Sequence, residues 1–113
     1  MKTTYIPGRG DIVWINFNPT RGHEQAHKRP AIVLSPQRYN KKGGMMLACP
    51  ITSKIKHYPF EVALEVEKQN SVILADHIRN MDWHTRKITF IQRAPSQIVN
   101  AVQRKILRLL TES

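Results

Sequence analysis

The chain has 113 residues, 41% hydrophobic and 23% charged, proportions of an ordinary globular domain that leave room for one core and not two. No apolar run approaches the length of a membrane span, residues 1–11 carry no apolar h-region of a secretory signal, and a lone cysteine, Cys49, excludes an internal disulfide, so one cytoplasmic domain over residues 1–113 is expected, with no membrane segment. The net charge of +10 is uneven: residues 1–57 hold ten bases against two acids, Asp11 and Glu24, and residues 58–113 eight bases against six acids, a field that attracts polyanions, nucleic acid first and an acidic protein second.

The predicted elements are short apolar segments punctuated by turns. A first strand spans residues 11–17, started by Gly10 and ended at Asn18-Pro19; a second spans 31–35 and is closed by Pro36; residues 45–51 form a third, buried run. Residues 60–66 alternate cleanly, with Phe60, Val62, Leu64 and Val66 on one side and Glu61, Ala63 and Glu65 on the other. Shorter strands are expected over 72–75 and 88–91. From Pro95 the period changes: Ile98, Val102, Ile106 and Leu109 fall at helical spacing, widened by Val99 and Leu110, with Arg104, Lys105 and Arg108 on the far side. The pattern predicts a mainly β, α+β domain, a small barrel with an amphipathic C-terminal helix packed on it. Three connections, 18–28, 36–44 and 52–59, read as polar loops, and loops on a rigid barrel are where sites usually sit.

The first of these loops contains His23-Glu24-Gln25-Ala26-His27, a literal H-E-x-x-H, with His57, His77 and His84 as conceivable third ligands. Zinc binding by that pattern requires a helix, because only i, i+4 spacing aims both imidazoles at one metal. Gly22 before it, Pro30 shortly after it and the absence of an apolar stripe argue for a polar loop, so neither metal nor cofactor is expected.

Metal-free RNA cleavage needs a base for the 2′-hydroxyl, an acid for the departing 5′-oxygen and fixed donors around the phosphate. The same loop supplies His23, Glu24, Gln25, Lys28 and Arg29 close together, and a guanidinium matches phosphate oxygens in a bidentate manner. Thr52 and Ser53 follow a buried run, and Asp76 ends another. On residue types alone these also read as surface charges and turn hydroxyls.

The order and spacing of Gly10-Asp11, Val13-Trp14, Asn18-Pro19-Thr20, Gly22-His23-Glu24-Gln25, Arg29-Pro30-Ala31, Val33-Leu34-Ser35, Tyr39-Asn40, Pro50-Ile51-Thr52, Tyr58-Pro59-Phe60-Glu61-Val62 and Leu74-Ala75-Asp76 resemble the MazF/PemK/Kid family of bacterial toxins over nearly the whole chain. The resemblance implies an SH3-like barrel and a homodimer that cuts single-stranded mRNA without metal, leaving a 2′,3′-cyclic phosphate and a 5′-hydroxyl. It also implies an acidic MazE/PemI-like antitoxin partner. By motif, the resemblance puts Arg29 near the scissile phosphate with a share in proton transfer, Thr52 as a donor to the phosphate and Glu24 as supporting base or orienter; His23 and Asp76 match positions used for phosphate contact and proton transfer in the Kid-like branch, with Gln25 in support. The Kid-like branch carries an arginine two residues before the aspartate, where this chain has Leu74, so that acid role does not transfer and Asp76 reads equally as a structural carboxylate holding Arg29 or a backbone turn.

Lys28, Lys41, Lys42, Ser53, Lys54 and Lys56 are candidate RNA contacts, and Tyr58 or Tyr39 a stacking platform for a splayed base. Trp14 and Trp83 read as core or dimer contacts and Cys49 as core. Non-enzymatic DNA-gyrase poisons share this barrel, which makes a gyrase poison the alternative function and a zinc peptidase the third.

Overall fold

The computed structural model describes residues 5–17 and 28–112. Among these, seven strands, β1 (Asp11–Asn16), β2 (Lys28–Val33), β3 (Met45–Thr52), β4 (Glu61–Val66), β5 (Gln69–Leu74), β6 (Arg79–Asp82) and β7 (Thr89–Arg93), accompany two α-helices, α1 (Gln37–Gly43) and α2 (Ser96–Thr111), and a 3-10 turn, Ala75–His77. All pairings are antiparallel, in the order β4-β5-β3-β2-β1-β7, with β6 also on β3. Gln92 of β7 donates to the Glu65 carbonyl and accepts from the Glu67 N–H, so one side chain joins the two ends of the sheet and curls it into a barrel-like α+β fold.

Side chains of the three central strands alternate between two cores. Ile12, Ile32, Cys49 and Ile51 face α2, whose Val99 and Val102 are buried against them. Val13, Ile15, Ala31, Val33, Met46 and Ala48 face the other way, onto Met81 and Trp83. Double burial explains why β1 and β3 read as continuous apolar runs while β4, with Ala63 and Glu65 exposed, alternates.

Several expectations shift. The segment 36–44 is not a loop: α1 forms there because Gly44 closes it in the left-handed region at φ 71° and Asn40 is fully buried. Asn40 Nδ2 donates to the carbonyls of Pro7 and Ser35, its Oδ1 accepts from Ser35 Oγ, and its carbonyl accepts from Trp83 Nε1. Strand β5 starts three residues earlier than predicted, joined to β4 by the two-residue turn Glu67-Lys68, with φ 51° and 68°. Strand β6, polar but for Met81, was not anticipated, and β7 runs on to Arg93. Trp83 is a core residue. The predicted helical stripe is covered at Val99 and Val102, whereas Leu109 and Leu110 stay exposed.

Candidate active site

The β2–β3 ladder runs Val33↔Ala48, Ile32↔Cys49 and Ala31↔Pro50, and stops. Pro50 is the last paired residue of β3 and Pro30 the next residue of β2, and neither has an N–H to give. Continuing the register by two residues sets Arg29 opposite Thr52. Both continue the faces of their strands that carry Ala31, Val33, Met46 and Ala48, so the two side chains stand at the open end of the second core. Arg29 therefore belongs to β2, which begins three residues before its predicted start and not at the end of a loop.

Two adjoining lobes of about 350 and 320 Å³ open there and share Arg29, Thr52, Leu74 and His77. Lys54, Lys56, Tyr58 and Glu61 line the outer lobe; Phe17, Pro50, Ile51 and Arg79 line the inner one. Four of these residues are cationic and one is acidic. A doubly bonded phosphate oxygen or a phosphodiester anion thus meets a strongly positive wall.

Individual geometry fits donation to an anion. Thr52 Oγ1 accepts the Lys54 N–H at 3.1 Å, which leaves its own hydrogen to donate. Arg29 is exposed and makes no ion pair among the described residues. The loop after β3 is fastened at both ends, by the Lys56 N–H on Glu61 Oε2 at 3.1 Å and by Lys105 Nζ on the Pro59 carbonyl at 2.6 Å. Tyr58 is 48% exposed and tilts on Phe60 at 5.6 Å, so its ring is presented and not absorbed by the barrel. On the inner side Arg79 lies 5.5 Å over the Phe17 ring, and Arg86 Nη1 donates to the carbonyls of Asn16 and Phe17, both at 2.9 Å, clamping the end of β1.

Behind the cleft, the turn Ala75–His77 carries Asp76. Its Oδ1 is buried with no hydrogen-bond partner among the described residues, and His77 Nε2 lies 3.8 Å from it. Asp76 makes no ion pair with Arg29, so it is not the carboxylate that holds the guanidinium. Burial first, and the Asp76 charge second, push the Cys49 thiol up to about 12, which makes it an inert core residue.

Of the residues named from sequence, the structure brings together Arg29, Thr52, Lys54, Lys56 and Tyr58. Ser53 lines a neighbouring hollow with Trp14 and Pro30, and Lys28 sits exposed at the start of β2 opposite Asn16. Lys41 and Lys42 do not line the cleft: they occupy the last turn of α1, before the opposite end of β3 from Thr52, and eight strand residues span roughly 23 Å. Tyr39, also on α1, is equally remote from it. Glu24, His23 and Gln25, with the rest of the H-E-x-x-H segment, lie outside the described residues. Among those described, no three His, Cys, Asp or Glu side chains gather as a metal would need, and no helix is long and apolar enough to cross a membrane.

His77, Arg79 and Glu61 line the cleft without having been picked out as nuclease residues. None of the three is marked in the sequence: His77 reaches the cleft through the turn after β5, Arg79 through strand β6 and Glu61 through its bond to the Lys56 N–H.

Comparison with known proteins gives a consistent picture. Residues 8–110 match the family described as PemK-like, MazF-like toxin of type II toxin–antitoxin system. The chain is 47% identical to the endoribonuclease toxin MazF of Escherichia coli K12 over 89 residues, covering 79% of this chain and 80% of that one. It is 39% identical to the endoribonuclease toxin ChpB of the same organism over 107 residues, 89% of each. In structure it is similar to MazF of Deinococcus radiodurans, with a TM-score of 0.84, 46% identity and coverage of 95% and 98%, and to the MazE–MazF complex of that organism, with a TM-score of 0.86, 44% identity and coverage of 96% and 100%.

Proposed function

The chain belongs to the PemK-like, MazF-like toxin family of type II toxin–antitoxin systems, and from that premise we propose that it is a metal-independent endoribonuclease that cuts single-stranded mRNA and so arrests translation and growth. The observation that supports the reading is the cleft that Arg29 and Thr52 share, two hydrogen-bond donors for an anion that come from different strands. The relatives of known activity are named endoribonuclease toxins.

In this mechanism the ribose 2′-oxygen attacks the adjacent phosphorus, the P–O5′ bond breaks, and a 2′,3′-cyclic phosphate and a 5′-hydroxyl result. Arg29 holds the non-bridging oxygens in a bidentate grip and Thr52 donates its hydroxyl hydrogen as charge builds on them. Glu24 takes the 2′-hydroxyl proton, with His23, Gln25 and Asp76 in support. Lys28, Ser53, Lys54 and Lys56 hold flanking phosphates, and Tyr58 offers a stacking face. Lys41 and Lys42 would reach only an RNA that extends well past the cleft.

An acidic antitoxin competing for the same positive surface belongs to the reading, supported by the MazE–MazF complexes of the structural relatives and by the charge of the cleft. So does a homodimer, supported by the uncovered Leu107, Leu109 and Leu110 at the end of α2. The cytoplasm, where mRNA lies, is the compartment. The test is primer extension on a long single-stranded RNA incubated with purified protein and excess EDTA. Discrete cuts with the wild type and none with Arg29→Ala are expected; intact RNA with the wild type would end the proposal, and trapped gyrase on DNA would replace it.

A further inference from the structure

We propose that His77 is the general acid of this cleft, the group that protonates the departing 5′-oxygen. The inference rests on the ribonuclease reading and adds to it the source of a proton.

The leaving 5′-oxygen must take up a proton as the P–O5′ bond breaks. Leu74, at the centre of both lobes, can give none. The Glu61 carboxylate is engaged with the Lys56 N–H. The other polar side chains of the two lobes are of guanidinium, ammonium, phenol and aliphatic hydroxyl type, classes that serve poorly as proton donors to a leaving alkoxide near neutral pH. Among the described residues that line the cleft, His77 carries the one side-chain type that exchanges a proton near neutral pH.

Its surroundings suit the role. The imidazole lines both lobes beside Arg29 and Thr52, and its side chain is 57% exposed, so a bound phosphodiester can reach it. Asp76 Oδ1, buried and without another partner among the described residues, lies 3.8 Å from His77 Nε2. A small rotation closes that gap to a hydrogen bond, which orients the ring. Nδ1 is then the nitrogen left to face the cleft. Against the imidazolium stand Arg29 from β2, Lys54 and Lys56 from the following loop and Arg79 from β6; Cys49 of β3 is neutral, and Lys105 of α2 is turned to the Pro59 carbonyl. A bound RNA phosphate offsets those cations at the moment the acid is needed. The proton then passes from Nδ1 to O5′, the bonding electron pair of P–O5′ stays on that oxygen, and the neutral imidazole is reprotonated from water.

The experiment compares wild type, His77→Gln and Arg29→Ala on two single-site RNAs, one with the ordinary 5′-oxygen at the cut and one with sulfur in its place, a leaving group that departs without protonation. On the oxygen RNA, His77→Gln should lower kcat by about 10²-fold, and the loss of kcat/KM with rising pH expected of the wild type should be absent from the variant. On the sulfur RNA, His77→Gln should cleave within about threefold of wild type while Arg29→Ala stays impaired, because phosphate contact is still required. An equal defect of His77→Gln on both RNAs, or an unchanged pH profile, would overturn the acid role while leaving the ribonuclease reading intact. No cleavage of either RNA by the wild type would instead remove the reading itself.

Discussion

Replacing Thr52 by Val removes one hydroxyl and keeps a β-branched side chain suited to the end of β3. In the folded protein that oxygen accepts the Lys54 N–H at 3.1 Å, with Thr52 half-buried and Lys54 exposed. Water can take over the freed N–H, so the stability cost sits at the low end for a hydrogen bond, about 0.5 kcal/mol. In a domain of this size that lowers the melting temperature by about 2 °C. The effect on turnover is far larger, because a fixed donor aimed at developing negative charge contributes about 2.7–4 kcal/mol where water is excluded. Here Arg29, facing Thr52, is exposed, which places the expected loss at the lower bound, about 10²-fold in kcat. Thr52→Ser restores the hydroxyl and should recover most of the activity. Single-turnover cleavage of a short RNA with one cut site gives the rate, and thermal melting of the same samples gives the stability. Thr52→Val cleaving within about threefold of wild type would refute the donor role.

Asn40→Ala leaves two carbonyls and the Ser35 hydroxyl without their buried partner; at about 1 kcal/mol each the loss is about 3 kcal/mol, read from urea unfolding, and a loss below about 1 kcal/mol would mean that water fills the gap. Cys49 stays protonated in the folded protein up to about pH 12 but ionises from its ordinary value of 9.0 in the unfolded chain, so unfolding releases a proton in that window. Stability should therefore fall as pH rises above 9, by up to about 1.4 kcal/mol per pH unit, and Cys49→Ala should remove that part of the slope; native protein should also resist a thiol reagent until denatured. Lys54→Ala and Lys56→Ala should each reduce the slope of log affinity against log salt by about 0.7 for an uncleavable 2′-deoxy-substituted RNA, measured by fluorescence anisotropy; an unchanged slope would mean that the side chain touches no phosphate.

The class of fold was legible where physics is local. The period-2 run of β4, the doubly apolar β1 and β3 and the 3.6-residue spacing of α2 each follow from which faces are buried. The elements that differ from expectation have causes partly local and partly tertiary. The Glu67-Lys68 turn takes positive φ at both positions, a conformation that sequence normally advertises with Asn or Gly, so the sequence does not mark the start of β5. In α1 the helix depends on Asn40 being buried against Pro7 and Ser35, a tertiary bond that no window of residues reveals. Strand β6 has one inward apolar residue, Met81, and four residues hold no period. In the site, Arg29 and Thr52 were legible through their motifs and their strand-end positions. His77 was not, because its membership of the cleft depends on where the turn after β5 comes to rest against β2 and β3, a matter of topology and not of sequence neighbours.

The cleft exists because two features of the sheet coincide. Pro30 and Pro50 silence the β2–β3 ladder at one end, and on its other edge β3 exchanges partners, from β6 over Met45–Ala48 to β5 over Ile51–Thr52. Between those two partners the chain must leave β5 and enter β6, and the turn Ala75–His77 is the connection. Arg29 and Thr52 therefore stand two residues beyond the last β2–β3 pair, Ala31↔Pro50, each still held on its other side, by β1 and by β5: close enough to inherit the position of the core strands, far enough to hold no part of the core. Such residues can be exchanged at small cost in stability and large cost in rate, which is the separation Thr52→Val is built to measure. A preorganised electrostatic site needs that division, since donors fixed before the substrate arrives require no rearrangement as the phosphorane forms.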